Sequence, residues 1–197
     1  MRPVIVLATA VAAVLFVAPP AHAAEGGPLT VTSARVSLDG TSNIHAYTAS
    51  TTDVRVTAIE FSGTPSSDVL AYALEPGALK AFDVVIPAAS LKSEKSDLNK
   101  NMHKALKVQE FAEMTFRLRG LEAAGAAYRA VGTLTVAGVE KDVTLSVQVE
   151  RTDGALAVTG TTDLLMTDYG ITPPKAMLGM LKTNPKVQIR IELRLGA

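Results

Sequence analysis

The most regular alternation of apolar and polar residues in this chain lies close to its end. In residues 187–195, charged or amide side chains alternate with the apolar residues Val187, Ile189, Ile191, Leu193 and Leu195. A period of two with one apolar and one charged face is typical of a half-buried antiparallel strand. The preceding stretch, residues 166–182, is rich in Met, Leu and Pro, which is unusual for a loop that faces water. We therefore predict a barrel wall preceded by an apolar loop, with Met180 among the side chains that face the interior.

Shorter alternating or β-branched runs predict further strands. They cover residues 29–38, 44–50, 54–61, 79–86, 113–119, 128–136, 142–150 and 155–166. The pattern is ambiguous over residues 69–74, which read as a loop with a short strand, and residues 120–127 read as a hairpin loop. Successive hairpin connections in the second half indicate a meander, and a meander of this many strands packs as two sheets or closes on itself. We predict an all-β fold, a single antiparallel eight-stranded barrel.

One segment departs from the period of two. After Ser96 and Asp97, which suit a helix N-terminus, the residues Leu98, Met102, Ala105 and Leu106 recur at helical spacing. The spacing predicts one short α-helix over residues 97–106. Its phase places His103 off the apolar stripe, so we expect that side chain to face solvent.

The first residues have the layout of a secretory signal peptide. An uncharged apolar run over residues 4–18 follows Arg2 and ends at Pro19-Pro20, and Ala21-His22-Ala23 provides a small-residue cleavage site. A membrane-spanning helix needs about 20 apolar residues, and this run is shorter. We expect residues 1–23 to be cleaved and residues 24–197 to form one periplasmic or secreted domain.

Composition narrows the function classes. The formal net charge is zero, which argues against nucleic-acid binding because that function calls for a basic surface. The chain has no Cys, so an exported form would fold without disulfides or a lipidated N-terminal cysteine. After signal cleavage we expect no stable membrane insertion.

Catalytic motifs are weak. Asp39, Ser42 and His45 lie close in sequence, but a catalytic triad is defined by geometry, and no G-x-S-x-G motif is present. The simpler interpretation is that Ser42 shapes a turn. His45 and His103 show no metal-ligand spacing. We predict no catalytic residues, no metal and no cofactor, while a hydrolase that uses Ser42 and His45 stays open as a weaker alternative.

A small barrel can hold one elongated apolar ligand if its interior is not filled by large side chains. Only 5% of the chain is aromatic, and Met residues cluster in the stretch before the last strand. Methionine suits adaptable apolar sites, but it also fills ordinary cores. From the residues alone, a ligand tunnel and a filled core are equally compatible.

Several motifs resemble the YceI-like family, the bacterial polyisoprenoid-binding, lipocalin-like domain. They are GTSNIH at 40–45, the helix at 98–106 with the strand at 111–118, GTLTVAGVEK at 132–141, and residues 166–195. The resemblance implies an extended lipocalin-like barrel with a helix near its mouth, a long tunnel for isoprenoid or other lipid chains, and a periplasmic setting. The chain is similar to a divergent branch, because Thr41-Ser42 replaces a His-Ser pair and MTDYG begins the last loop.

The resemblance and the apolar pattern together predict a lipid partner, isoprenoid or fatty acyl, bound without a covalent bond. We expect the apolar lining to come from Met102, Leu106, Phe116, Leu118, Leu134, Leu165, Met166, Met177 and Leu178. The candidates for the polar end of the ligand are Ser42, His45, Asn101 and Tyr169. The main alternative is a structural or stress-response barrel with a filled core. The sequence leaves a homodimer open.

Overall fold

A computed structural model describes residues 29–65, 67–176 and 180–197. The signal peptide expected over residues 1–23 and the lining residues Met177 and Leu178 lie outside this range. The strands are β1 (Thr30–Ser42), β2 (Ala46–Thr51), β3 (Arg55–Phe61), β4 (Leu79–Pro87), β5 (Glu113–Ala124), β6 (Ala127–Val136), β7 (Val139–Thr152), β8 (Ala155–Leu165), β9 (Lys175–Ala176) and β10 (Leu181–Gly196). The helices are α1 (Val69–Tyr72) and α2 (Ser96–Ala105), with 3₁₀ turns at Ala88–Ser90 and Met166–Tyr169.

The strands form one curled antiparallel sheet with the order β2-β1-β10-β8-β7-β6-β5-β4-β3, and the two-residue β9 pairs with β10 beside it. This confirms the all-β, lipocalin-like fold class, with nine strands along the sheet instead of eight. The nine strands correspond to the nine alternating or β-branched runs of the sequence, and β1 and β2 pair as separate strands on either side of the turn at residues 43–45.

The edge strands β2 and β3 show no pairing with each other in the described parts of the chain. The segment that leads to α2 covers the edge of β2 instead. Ser50 and Lys92 exchange two backbone hydrogen bonds there, with N···O distances of 2.8 and 3.1 Å. The sheet is therefore a curled half-barrel whose open edge at β2 is partly covered.

The interior follows the alternation seen in the sequence. In β10, Val187 and Leu195 are buried, Ile189, Ile191 and Leu193 are half-buried, and the four residues between them are exposed. The two helices close opposite ends. Helix α1 buries Leu70 beyond the end of β3, and α2 buries Met102 at the other end. The space between sheet and α2 is thereby walled by apolar side chains.

Two local expectations are wrong. Residues 69–74 contain helix α1, which begins where the Asp68 carboxylate accepts a hydrogen bond from the Ala71 N–H at 3.0 Å. Residues 120–127 are not a hairpin loop, because β5 continues to Ala124 and only Gly125 and Ala126 turn. Gly125 has a φ of +68°, which a glycine adopts without steric cost. Helix α2 confirms the predicted helix to within one residue at each end.

Candidate functional site

An apolar cavity lies between α2 and the inner face of the sheet. Its volume is about 180 Å³, counted as the space open to the centre of a water molecule. Every strand except β3 contributes to its wall, together with α2 and the turn Met166–Tyr169. The wall is almost entirely apolar, so the cavity favours a hydrocarbon group over water.

The structure places most of the predicted binding residues around this cavity. The residues in its wall are Met102, Leu106, Phe116, Leu134, Leu165, Met166, Asn101 and Tyr169. Leu165 is 43% exposed and marks the rim. Leu118 lies outside the wall, because it sits two residues beyond Phe116 towards the α1 end, where side chains pack as core. Met180 is 65% exposed and does not face the interior as expected.

Sequence reasoning missed a large part of the cavity wall. Inward-facing β residues supply it, namely Val36, Leu38, Val84, Ile86, Val143, Leu145, Val187, Ile189 and Ile191. Their alternation is visible in the sequence, but it does not distinguish a wall residue from a filled core. Tyr47 was also missed. Its ring occupies the space where a Cβ of Gly40, its partner on β1, would lie.

A polar groove adjoins the cavity at the α2 end. It runs between the turn that joins β1 to β2 and the segment before α2, and its wall includes Ser42 and His45. The groove and the apolar cavity share a border of five residues, Tyr47, Leu98, Asn101, Leu181 and Thr183. Asn101 is the predicted polar residue that touches both spaces. A molecule with an apolar tail and a polar end could occupy both at once.

Ser42 and His45 interact through the backbone. The Ser42 hydroxyl donates to the His45 carbonyl at 2.9 Å and accepts from the His45 N–H at 3.1 Å. In the described chain, no hydrogen bond joins this hydroxyl to the His45 imidazole. Ser42 therefore holds a turn, as the simpler interpretation expected, and its oxygen is not paired with a base.

Tyr169 is the most buried polar residue of the cavity wall, at 4% exposure. Its hydroxyl has no hydrogen-bond partner among the described residues. Burial, followed by the nearby charge of Asp168, raises the pKa of Tyr169 to about 12. The hydroxyl is therefore protonated at neutral pH and retains its capacity to donate a hydrogen bond.

Residues 29–65, 67–176 and 180–197 meet neither the requirements of a metal site nor those of a membrane-spanning helix. No group of three or more His, Asp or Glu side chains in these ranges is placed to hold a metal ion. None of the helices there has the length and apolar character that crossing a bilayer requires.

A sequence model of the YceI-like domain matches residues 30–195, which covers nearly all of the described chain. The chain belongs to the YceI-like family. The matched range includes both helices and, apart from Gly196 at the end of β10, every strand of the sheet, so the cavity is a feature of this domain. No curated protein matches the chain by sequence.

Solved structures share the YceI-like fold at low sequence identity. BcnA of Burkholderia cenocepacia superposes with a TM-score of 0.67 at 16% identity, over 83% of this chain and 96% of that one. A polyisoprenoid-binding domain from Saccharophagus degradans gives 0.60 at 14% identity, over 86% and 98%. The Campylobacter jejuni YCEI protein gives 0.56 at 19% identity, over 78% and 82%.

Proposed function

We propose that this protein is exported to the periplasm or secreted and that it binds, without catalysis, one elongated apolar ligand of the isoprenoid or fatty acyl class. The observation that carries the proposal is the apolar cavity between sheet and α2. The Saccharophagus degradans neighbour is described as a polyisoprenoid-binding domain, which supports this ligand class. YceI-like proteins are typically periplasmic, which supports the export.

The ligand gains its affinity from burial of its chain. Each methylene removed from water contributes about 0.8 kcal/mol. An apolar cavity of about 150 Å³ stays dry and accepts a benzene-sized group, so the 180 Å³ here accommodates a short part of a lipid chain without rearrangement. A longer chain needs side chains that move. Met102, Met114 and Met166 in the wall have the flexibility for this.

The polar end of the ligand belongs at the border between the cavity and the polar groove. Asn101 lines both spaces, and Ser42 and His45 line the groove. Within the cavity wall, the protonated Tyr169 hydroxyl has no partner among the described residues, so it is the group to donate to an ester, acid or quinone oxygen of the ligand. We therefore propose an amphiphile with an oxygen-bearing end in preference to a plain hydrocarbon.

The direct test is the identification of a co-purified lipid. The protein should be purified from its own host without detergent and examined by native mass spectrometry, followed by solvent extraction. We expect one bound lipid per chain, and we expect the delipidated protein to bind a fluorescent polyene fatty acid. Absence of both signals overturns the proposal.

Phe116→Ala separates a ligand tunnel from a filled core. Phe116 is half-buried in the cavity wall. In a filled core its truncation costs about 3–5 kcal/mol of unfolding free energy. In a tunnel wall we expect a smaller loss, together with a changed affinity for the polyene. Urea unfolding and fluorescence titration measure the two effects.

Leu118→Ala is the matched control, since Leu118 is buried on the same strand outside the cavity wall. It should cost about 2–5 kcal/mol and leave polyene affinity unchanged. If Phe116→Ala is as destabilising as Leu118→Ala and does not alter binding, the filled-core alternative is correct.

A further inference from the structure

The large apolar side chains that are strongly exposed in the described ranges lie at one end of the barrel. Ile44 is 62% exposed, Met180 is 65% exposed and Leu165 is 43% exposed. Ile44 lies in the turn between β1 and β2, Leu165 ends β8, and Met180 directly precedes β10. Exposed apolar groups that collect at one place mark an interaction surface more often than scattered ones do.

Hydrogen bonds hold two of these positions together. Asn43, next to Ile44, donates from its side-chain amide to the Met180 carbonyl at 2.9 Å. Its side-chain oxygen accepts from the Lys182 N–H at 2.8 Å, and its own N–H donates to the Lys182 carbonyl at 3.1 Å. These three hydrogen bonds hold the turn that contains Ile44 against the start of β10, next to Met180.

Two lysines flank the exposed apolar side chains. Lys175 on β9 lies directly opposite Lys182 on β10, and both side chains are exposed. Like charges directly opposite each other destabilise a strand pair, and neither lysine has an ion pair in the described chain. Asp168 in the adjacent turn is exposed, and the carboxylate of Asp163 is bound to Lys186 at 2.8 Å. In the adjoining groove, the acids Glu94 and Asp97 lie among the lysines Lys92 and Lys95. Lys175 and Lys182 are therefore two positive charges at this end that no ion pair in the described chain neutralises.

This surface adjoins the rim of the apolar cavity, and Leu181, which stands between Met180 and Lys182, lines the cavity as well. Leu165 and Lys175 belong both to the exposed surface and to the cavity wall. We define the mouth surface as Ile44, Leu165, Met180, Lys175 and Lys182. A ligand that enters or leaves the cavity at its exposed rim passes Leu165 and Lys175.

We propose that the mouth surface docks reversibly on an anionic phospholipid bilayer. The apolar tips enter the interfacial layer, and Lys175 and Lys182 bind lipid phosphates. The proposal rests on the proposed lipid ligand, because docking at the mouth lets an insoluble chain pass between bilayer and cavity without crossing water. A standard protein interface buries roughly 800 Å² on each partner, and three separate apolar side chains cannot provide that area. A bilayer, in contrast, binds single apolar side chains in its interfacial layer and neighbouring cations at its phosphates.

Vesicle flotation tests the docking. The full-length mature protein is mixed at low salt with vesicles of phosphatidylglycerol and phosphatidylcholine, or of phosphatidylcholine alone. We expect it to float with the anionic vesicles and to be released as salt rises. Ile44→Ser with Met180→Ser should abolish flotation, and Ile44→Leu should retain it. Lys175→Gln with Lys182→Gln should weaken binding to anionic vesicles by about tenfold or more.

The matched control is Lys80→Gln with Arg129→Gln, which removes two positive charges at the α1 end and should float like the parent protein. Urea unfolding checks that each variant is folded. The proposal is overturned if the parent protein does not float, if the mouth variants float as well as the control, or if the apolar double variant only splits a dimer of this chain into monomers.

Polyene binding in the absence of vesicles separates this proposal from the proposed function. The folded Ile44→Ser, Met180→Ser variant should bind the polyene with the parent affinity, because neither side chain belongs to the cavity wall. Vesicle docking without any polyene or co-purified lipid would overturn the ligand proposal. Polyene binding without vesicle docking would overturn the docking proposal.

Discussion

Gly132 shows how one missing side chain shapes the cavity wall. The ring of Phe116 lies across this glycine, and a Cβ there would meet a ring carbon at 2.6 Å and the Arg117 carbonyl oxygen at 2.5 Å. The ring could move, but the backbone oxygen belongs to the sheet ladder and cannot move freely. The glycine therefore sets how far Phe116 lies back from the cavity.

We expect Gly132→Ala to destabilise the protein by about 1–3 kcal/mol because it overpacks this contact. The displaced Phe116 ring should also narrow the cavity and weaken polyene binding. Urea unfolding and fluorescence titration report the two effects.

Gly120→Ala is the control on the neighbouring strand β5. A Cβ at Gly120 meets no atom within 4 Å, so the substitution should be neutral or stabilising by up to about 1 kcal/mol. Equal effects of the two substitutions would show that lost chain flexibility, and not the Phe116 contact, matters at Gly132.

Tyr169 should make stability fall at high pH. An unperturbed tyrosine has a pKa of 10.0, and the pKa of Tyr169 is raised to about 12 in the fold. Between these values the folded state binds more protons than the unfolded state, so the free energy of unfolding decreases as pH rises.

We expect Tyr169→Phe to reduce this decrease by about 2 kcal/mol between pH 9 and 11.5, since one pKa unit corresponds to about 1.4 kcal/mol. At pH 7 the variant should be as stable as the parent or slightly more so, because an unpartnered buried hydroxyl is removed. Part of the pH dependence of stability should remain in the variant, because burial also raises the pKa of Tyr47. Identical pH slopes in the two proteins would contradict the burial of Tyr169.

At the scale of elements, side chains of α2 that do not line the cavity fix the helix to the segment before it. The Asn99 side-chain oxygen accepts from the Ser93 N–H at 2.7 Å, and its amide donates to the Ser93 carbonyl at 3.0 Å. His103 Nε2 lies 2.8 Å from the Leu91 carbonyl oxygen, so the expectation that His103 faces solvent is wrong. These bonds hold the helix over the cavity.

We expect Asn99→Ala to cost about 1–3 kcal/mol, because it leaves partly buried groups of Ser93 without partners. Hydrogen exchange should accelerate at the amides of residues 93–106 before it does in the sheet. Lys100→Ala is the control, since that side chain is 79% exposed and only pairs with Asp97 at 3.7 Å. If Lys100→Ala loosens α2 equally, the Asn99 bonds do not hold the helix.

At the scale of the whole molecule, a ligand that binds only the folded barrel must stabilise it. At a free ligand concentration 100 times the dissociation constant, the gain is about 2.7 kcal/mol. We expect the delipidated protein to unfold at a lower temperature than the protein purified from its host, and the polyene to restore the difference. Unchanged thermal unfolding after verified lipid removal would contradict binding to the folded barrel.

The sequence by itself determined the strands and α2, because a period of two and helical spacing are local properties of neighbouring residues. It also predicted part of the cavity wall, including Phe116 and Met166. It could not predict α1, which is four residues long and has only Leu70 as its buried apolar residue. Nor could it place Leu118 and Met180.

The tertiary structure decided whether an inward-facing side chain meets a neighbour or a void. Leu118 and Phe116 share the inner face of β5, yet only Phe116 lines the cavity. That difference depends on which end of the curled sheet is filled by α1 and which is covered by α2. Both contacts join residues far apart in the chain, so the depth of the cavity and the composition of its mouth emerge only when the sheet curls.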